Sequence, residues 1–368
     1  MRKYLVGTVL ALSLLATAIL NVGAAHAAFT LEGKPKIAFI FLGPVNDGGW
    51  TESHDIARRK LEKQLGVDIT YTENIPEETT KVRQAIDLYV QRGYNIIIGT
   101  SYGYGDAFLE ASKEYPHVAF LNAAGDTNSR NLESFYVRTY QGWYLAGMIA
   151  GAMTKTDKLG MLGGFPLALV NWDINGFARG VQATNPNATV SSIFVNTWYD
   201  PVKEGQMAEA LLEQGVDVVA TDLSAASALT AAEKQSKYSV GFQIDMSPHA
   251  PKYHLTSVVF HWEKFLAPTI NKIINGTWEP SKYGAFVGLK TGVIGLSPIN
   301  DKAPQSVIDK VEKAKQAMID GTLSPFAGPV RKQDGSLVVD KGQSMTDDQL
   351  WSMDYFVKGV RGTMPKSQ

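Results

Sequence analysis

Ile37-Ala-Phe-Ile-Phe-Leu-Gly-Pro-Val-Asn-Asp-Gly-Gly-Trp50 begins as an unbroken apolar run and ends in polar residues, two glycines and a large aromatic. The run from Ile37 to Leu42 has the composition of a parallel strand covered on both faces. Asn46 and Asp47 stand where a helix N-cap belongs, and the glycines after them allow a tight turn. From Trp50 onward Ile56, Ala57 and Leu61 fall on one side of a helix, with Arg58, Arg59 and Lys63 available for another. A strand that passes into a helix in this way is the unit of an α/β sheet. The carboxyl edge of such a sheet is where ligands bind. Capping alone would account for Asp47, and packing alone for Trp50, so the rest of the chain decides between a structural and a binding role.

Strands and helices go on alternating. Asp68 to Asn74, Asn95 to Ser101, His117 to Asn122 and Ser134 to Thr139 read as strands, with helices over Thr80 to Arg92 and from Asp106 between them. Together they predict one parallel sheet with crossover helices. A helix over Gln141 to Thr154 leads into a second set. Its strands are Lys158 to Gly164, Val190 to Asn196, Val216 to Asp222 and Ser239 to Asp245. Its helices lie near Asn175 to Thr184, over Pro201 to Gln214 and from Ser224. After Ser297 the pattern suggests helices and a hairpin, with the polar stretch Lys332 to Gly342 inside it.

At 368 residues the chain is long enough for two well-filled domains. Arg2 and Lys3 precede an apolar stretch to about Val22, and Ala25-His-Ala27 offers small residues where a signal peptidase reads. Residues 1–27 are therefore expected to be a secretory signal peptide, with an uncleaved anchor as the rival reading. No later stretch is apolar for long enough to span a bilayer. The absence of cysteine excludes disulfides, thiolate catalysis, cysteine metal sites and a lipid on an N-terminal cysteine. These features predict a periplasmic protein without a lipid anchor. A formal charge of −1 and no long basic run argue against nucleic acid as a partner.

Several strand ends carry polar or aromatic groups: Asn46, Asp47 and Trp50; Ser101 and Tyr102; Asn171, Trp172 and Asp173; Trp198; Asp222; Gln243 and Asp245. If both sheets turn their carboxyl edges to one cleft, these groups converge there. Aromatic faces combined with carboxylates and amides suit a flat heteroaromatic ligand, although a sugar also uses aromatic platforms. Gly99-Thr-Ser-Tyr-Gly103 matches the G-x-S-x-G elbow of serine hydrolases, with Asp245 and His261 following in order. Gly103-Tyr-Gly-Asp106 intervenes before the expected helix, however, so Ser101 reads better as a ligand or loop contact. The six histidines show no close ligand pairing, so no metal is expected. Gly160-Met-Leu-Gly-Gly-Phe165 lacks the spacing of a nucleotide phosphate loop, and no cofactor is expected.

Four blocks carry a resemblance: Gly43-Pro-Val-Asn-Asp-Gly-Gly-Trp-Thr-Glu-Ser53, Tyr140-Gln-Gly-Trp-Tyr-Leu-Ala-Gly147, Gly163-Gly164 with Asn175-Gly-Phe-Ala-Arg-Gly180, and Gly288-Leu-Lys-Thr-Gly-Val-Ile-Gly-Leu-Ser297. In order and spacing the chain resembles the basic membrane protein (BMP) family, substrate-binding components of ABC importers that are similar in fold to type 1 periplasmic binding proteins. The resemblance runs from about Lys36 to Ser297. It implies two Rossmann-like lobes, joined by three crossings, with a ligand cleft between them. Residues 28–140 plus 246–286 would form the first lobe, and 141–245 plus 287–368 the second. It implies no enzyme activity, an ABC permease and ATPase at the inner membrane as partners, and action as a monomer. The family's ligands are mostly purine nucleosides. Its base-binding Asn-Asp corresponds to Asn46-Asp47, the aromatic that follows to Trp50, and its ribose-binding acid to Asp245.

Two departures shift the expected ligand. The block Leu255-Thr-Ser-Val-Val-Phe260 has Phe260 where the family usually has a ribose-holding lysine, and Asn171-Trp172 adds bulk where a sugar would lie. The expected ligand is therefore a free purine base, adenine first, held by Asn46, Asp47, Trp50, Ser101, Tyr102, Trp172, Trp198, Asp222 and Asp245. A purine nucleoside is the alternative within the class, and a secreted serine hydrolase using Ser101 the alternative outside it.

Overall fold

The computed structural model describes residues 29–365, so the expected signal peptide lies outside them. Strands β1 (Ile37–Ile40), β2 (Ile69–Thr72), β3 (Ile96–Gly99), β4 (Ala119–Ala123) and β5 (Leu132–Val137) alternate with α1 (Trp50–Leu65), α2 (Thr79–Gln91) and α3 (Gly105–Glu114). After β5 the chain enters α4 (Thr139–Met153) and then β6 (Lys158–Gly163), α5 (Ala168–Thr184), β7 (Thr189–Phe194), α6 (Pro201–Glu213), β8 (Val218–Thr221), α7 (Ser227–Lys234), β9 (Tyr238–Gln243) and β10 (His254–Phe260). Helix α8 (Glu263–Ile274) and β11 (Ala285–Val287) follow, and then β12 (Ile294–Leu296).

These strands form a six-stranded sheet in the order β11-β5-β4-β3-β1-β2 and a seven-stranded sheet whose first six members are β12-β10-β9-β8-β6-β7. Pairing within each is parallel except at β12, which runs antiparallel to β10. The chain passes between the sheets three times: after β5, after β10 and after β11. The expected partition put residues 246–286 in the first lobe, but β10 sits between β9 and β12 in the second sheet. The second crossing therefore falls after Phe260. Every residue from His254 to Phe260 is buried, which a strand paired on both sides and covered on both faces requires. Helix α8 does return to the first lobe, where it packs against α1.

The C-terminal part builds onto the second lobe. Helix α9 (Gln305–Ile319) packs against α4, β13 (Val330–Arg331) and β14 (Leu337–Val339) make an antiparallel pair, and α10 (Asp347–Trp351) starts in a capping box of Thr346 and Gln349. Strand β15 (Val360–Arg361) then adds to the free edge of β7. Two asparagines one turn apart on α5 hold this tail. Asn171 Nδ2 donates to the Met353 carbonyl at 2.8 Å. Asn175 donates to Tyr355 O and accepts from Val357 N–H, both at 2.8 Å. At the hinge, Arg138 makes a two-pronged ion pair with Asp347 at 2.6 and 2.9 Å and lies over the Phe286 ring.

Helices α4 and α5 meet backbone to backbone. A Cβ at Gly180 would lie 2.8 Å from the Tyr144 carbonyl carbon, and one at Gly147 would lie 3.0 Å from that of Phe177. Backbone atoms have no rotamer through which to give way, so any side chain here must push the helices apart. Gly180→Ala is expected to lower stability by ~1–3 kcal/mol in chemical denaturation. Gly205→Ala, inside α6 with only Ser227 Cβ at 3.6 Å, should be neutral or stabilising by ~0.4–1 kcal/mol. Equal effects at both positions would contradict the seam.

Candidate ligand-binding site

Between the two lobes lies a cavity of about 190 Å³ at the carboxyl ends of the strands. The first lobe supplies Leu42, Pro44, Asp47, Trp50, Glu77, Ser101, Tyr102 and Tyr136, and the second supplies Leu169, Trp198, Tyr199, Asp222, Ser224, Phe242 and Gln243. Six of the nine residues expected from sequence therefore share one hollow: Asp47, Trp50, Ser101, Tyr102, Trp198 and Asp222.

Asp47 is also a helix cap. Its Oδ1 accepts from the Gly49 and Glu52 N–H groups at 2.9 and 3.0 Å, and its Oδ2 accepts from Thr51 N–H at 2.8 Å. The carboxylate is thereby held rigid at the cavity wall. Trp50 is fixed from behind: its indole N–H donates to the Thr100 carbonyl at 2.6 Å, and its ring meets His54, Phe260 and Trp262 edge to face. His54 stacks on Trp262 with centroids 4.5 Å apart and has no hydrogen-bond partner among the described residues. Burial lowers its pKa to about 3, so it packs as a neutral ring. Phe260, at the position of the expected family lysine, stands in this supporting layer and stacks on Trp262 at 4.4 Å.

Three expected residues do not line the hollow. Asp245 is exposed, and its Oδ1 accepts from Ser247 N–H at 3.0 Å. Strand β9 ends two residues earlier than expected, and Gln243, at φ 75°, turns the chain so that Asp245 points out while Gln243 points in. Trp172 is fully buried, because α5 begins at Ala168 rather than near Asn175 and puts it on an inner face. Its indole N–H donates to Thr139 Oγ1 at 2.9 Å, and its ring packs behind Tyr136. Asn46 is exposed and lines a neighbouring open depression with Pro201 and Glu209. Conversely, Tyr136, Phe242 and Ser224 were not singled out, and Gln243, noted at its strand end, was not carried into the expected set, although each lies at or just beyond the carboxyl end of a strand.

Ser101 is engaged elsewhere. Its hydroxyl donates to Glu77, which also accepts from Gly103 N–H at 2.9 Å. His261 is half-buried near Glu263, Lys60 and Lys264, and no hydrogen bond joins Ser101, Asp245 and His261 among the described residues. The Ser–Asp–His arrangement of a hydrolase is therefore not assembled among the described residues.

The two lobes touch across the mouth of the cavity. Trp50 N–H donates to Ser224 Oγ at 3.3 Å, and that hydroxyl donates to Gln243 Oε1 at 3.0 Å. A Cβ at Gly49 would lie 2.7 Å from Ser224 Cα and would also strike the Gln243 side chain. The structure is thus in a closed form that only glycine permits at this position.

Close to this mouth, Glu204 Oε1 accepts from Asp200 N–H at 3.1 Å while its Oε2 has no partner among the described residues. Burial pushes its pKa up to about 8.

A two-lobed α/β protein with an aromatic cavity at its domain interface has the architecture of a ligand-binding protein of the periplasmic-binding type. A family model described as ABC transporter substrate-binding protein PnrA-like matches residues 34–324. The chain belongs to this Bmp family and is a substrate-binding protein rather than an enzyme. It is 35% identical over 346 residues to a purine-binding protein of Brucella abortus, covering 94% of this chain and 97% of that one. It is 29% identical over 338 residues to a Haloferax volcanii protein provisionally named an ABC transporter glucose-binding protein, covering 91% and 82%. The fold is also that of an ABC transporter solute-binding protein from Conexibacter woesei, with TM-score 0.67, 23% identity, and 79% of this chain and 98% of that one covered.

Two outcomes check the geometry. Gly49→Ala is expected to weaken ligand binding by about tenfold or more in calorimetry, roughly 1.4 kcal/mol, with little change in the melting of the free protein. For Glu204, the unfolded chain is ionised above about 4.5 while the folded chain keeps its proton to about 8. The stability contributed by the neutral form is thus full below about 4.5 and declines as pH rises through about 8. Glu204→Gln should remove that decline, so the variant's melting point gains on the wild type across this window. A constant difference across it would count against the buried neutral acid.

Proposed function

We propose that this chain works in the periplasm, binds a purine nucleobase, adenine first, as a monomer, and delivers it to an inner-membrane permease and its ATPase. The observation that carries this reading is the size and lining of the cavity. At about 190 Å³ it is smaller than the roughly 300–1,000 Å³ of sites for drug-sized ligands, and aromatic rings enter it from both lobes. Such a space suits a flat two-ring base better than a base with its sugar. Asp245, which the family resemblance assigns to ribose, lies outside the cavity, and Phe260 stands where a ribose-holding lysine was expected. In this reading Trp50 and the aromatics Tyr136, Trp198 and Phe242 hold the faces of the base. Asp47, Asp222 and Gln243 supply hydrogen bonds at its edges. The purine-binding relative in Brucella abortus supports the ligand class.

Hinge closure over the base removes water from both partners. In a dry, preorganised site a mismatched edge leaves a buried polar group unpaired, which costs about 1–3 kcal/mol. That penalty provides selectivity without chemistry. Titration calorimetry on ligand-stripped protein with adenine, guanine, adenosine and glucose tests the reading. Adenine is expected to bind tightest, and Trp50→Ala to weaken it roughly tenfold or more, as the loss of a base stack of about 1–3 kcal/mol implies. Much tighter binding of adenosine or of glucose would overturn it.

A further inference from the structure

Asp222 lines the cavity just past the end of β8, and Asp173 stands behind it on α5 without reaching the ligand space. Both are almost fully buried, at 5% and 1% exposure, and the two carboxyls lie within hydrogen-bond reach of each other. Asp173 Oδ1 accepts from the Thr139 hydroxyl at the start of α4. Its Oδ2 has no N–H or O–H donor among the described residues, and the Trp143 indole N–H nearby does not complete a hydrogen bond. The remaining titratable group that faces the pair is the buried Tyr136 hydroxyl on β5. No lysine, arginine or histidine makes an ion pair with either acid among the described residues.

Two carboxylates in contact, in a dry place with no cation, do not both ionise. A proton on Asp173 Oδ2 solves both problems, because it gives that oxygen a partner and removes the repulsion. Resting on the purine-base reading above, we propose that Asp173 is a positioning residue that holds this proton and donates it to Asp222. Asp222 is thereby kept as an oriented acceptor for one N–H of an uncharged base. Burial, followed for Asp173 by its neighbour's charge, pushes both carboxyls well above the usual carboxylate range, and the pair titrates as a unit. Burial, then Asp173 and Asp222, raise Tyr136 as well, so its hydroxyl stays protonated beside them. Raising the pH far enough to remove the shared proton would put a second charge behind the ligand and weaken its binding.

The test is adenine calorimetry across pH on the wild type, Asp173→Asn and Asp173→Ala. The asparagine amide is a donor that does not titrate. Asp173→Asn should therefore bind within about threefold of wild type at neutral pH and lose less affinity on the alkaline side. Asp173→Ala removes the donor and should bind about tenfold or more weakly. An Asp173→Asn profile that tracks wild type, or one that fails as badly as Asp173→Ala, overturns the proposal.

A second measurement needs no ligand. In a Glu204→Gln background, which removes the other raised acid near the cleft, the infrared spectrum at neutral pH should show a protonated-carboxyl band that Asp173→Asn abolishes. Absence of that band overturns the proposal whatever the protein binds. If the band behaves as expected but no purine binds, the nucleobase reading falls and the shared proton stands.

Discussion

The glycine seam between α4 and α5 is the contact on which the site depends. Because nothing thicker than a backbone separates these helices, Thr139 at the start of one reaches Asp173 and Trp172 on the other. That triangle lies behind the cavity wall rather than in it. It places Asp173 behind Asp222 and brings Trp172 up behind Tyr136. Wider helix spacing would break both hydrogen bonds at once and leave a buried carboxyl with no donor.

The hinge shows the same economy of parts. Each crossing between the lobes carries aromatic side chains: Tyr136 just before the first, Phe260 and Trp262 at the second, and Phe286 before the third. Trp351 from the C-terminal segment joins them by packing on Tyr136, Trp172 and Phe286. The lobes are thus joined through flat, stiff groups that fill space, and the Trp262 indole N–H among them donates to Ser53 Oγ at 3.0 Å. At the cavity wall the Asp47 carboxylate is already held by the N–H groups of Gly49, Thr51 and Glu52. Preorganisation of this kind reduces the ordering that binding would otherwise require.

Much of this was legible in the sequence. The alternation of apolar runs and helical spacing identified β1 to β9 and the helices between them, and missed β10, β11, β12 and β15. The rule that ligands lie at strand carboxyl ends then singled out Asp47, Trp50, Ser101, Tyr102, Trp198 and Asp222, which do line one hollow. The failures share a cause. Asp245 and Trp172 were chosen at strand and helix ends that proved to be off by a few residues, and at an edge such a shift turns a side chain from the cavity to solvent or core. The boundary at Met246 failed because β10 was not read as a strand, and its place between β9 and β12 is set by pairing with distant segments.

The sequence by itself determined the local periods, the absence of thiol chemistry and the residue types at the strand edges, since each of these is a property of neighbours along the chain. Only the tertiary structure decided that β10 completes the second sheet, that Gln243 replaces Asp245 at the cleft, and that Asp173 and Asp222 meet. The physical reason is that these facts depend on contacts between distant segments. Along the chain, one buried acid carries no mark of the other acid it will face.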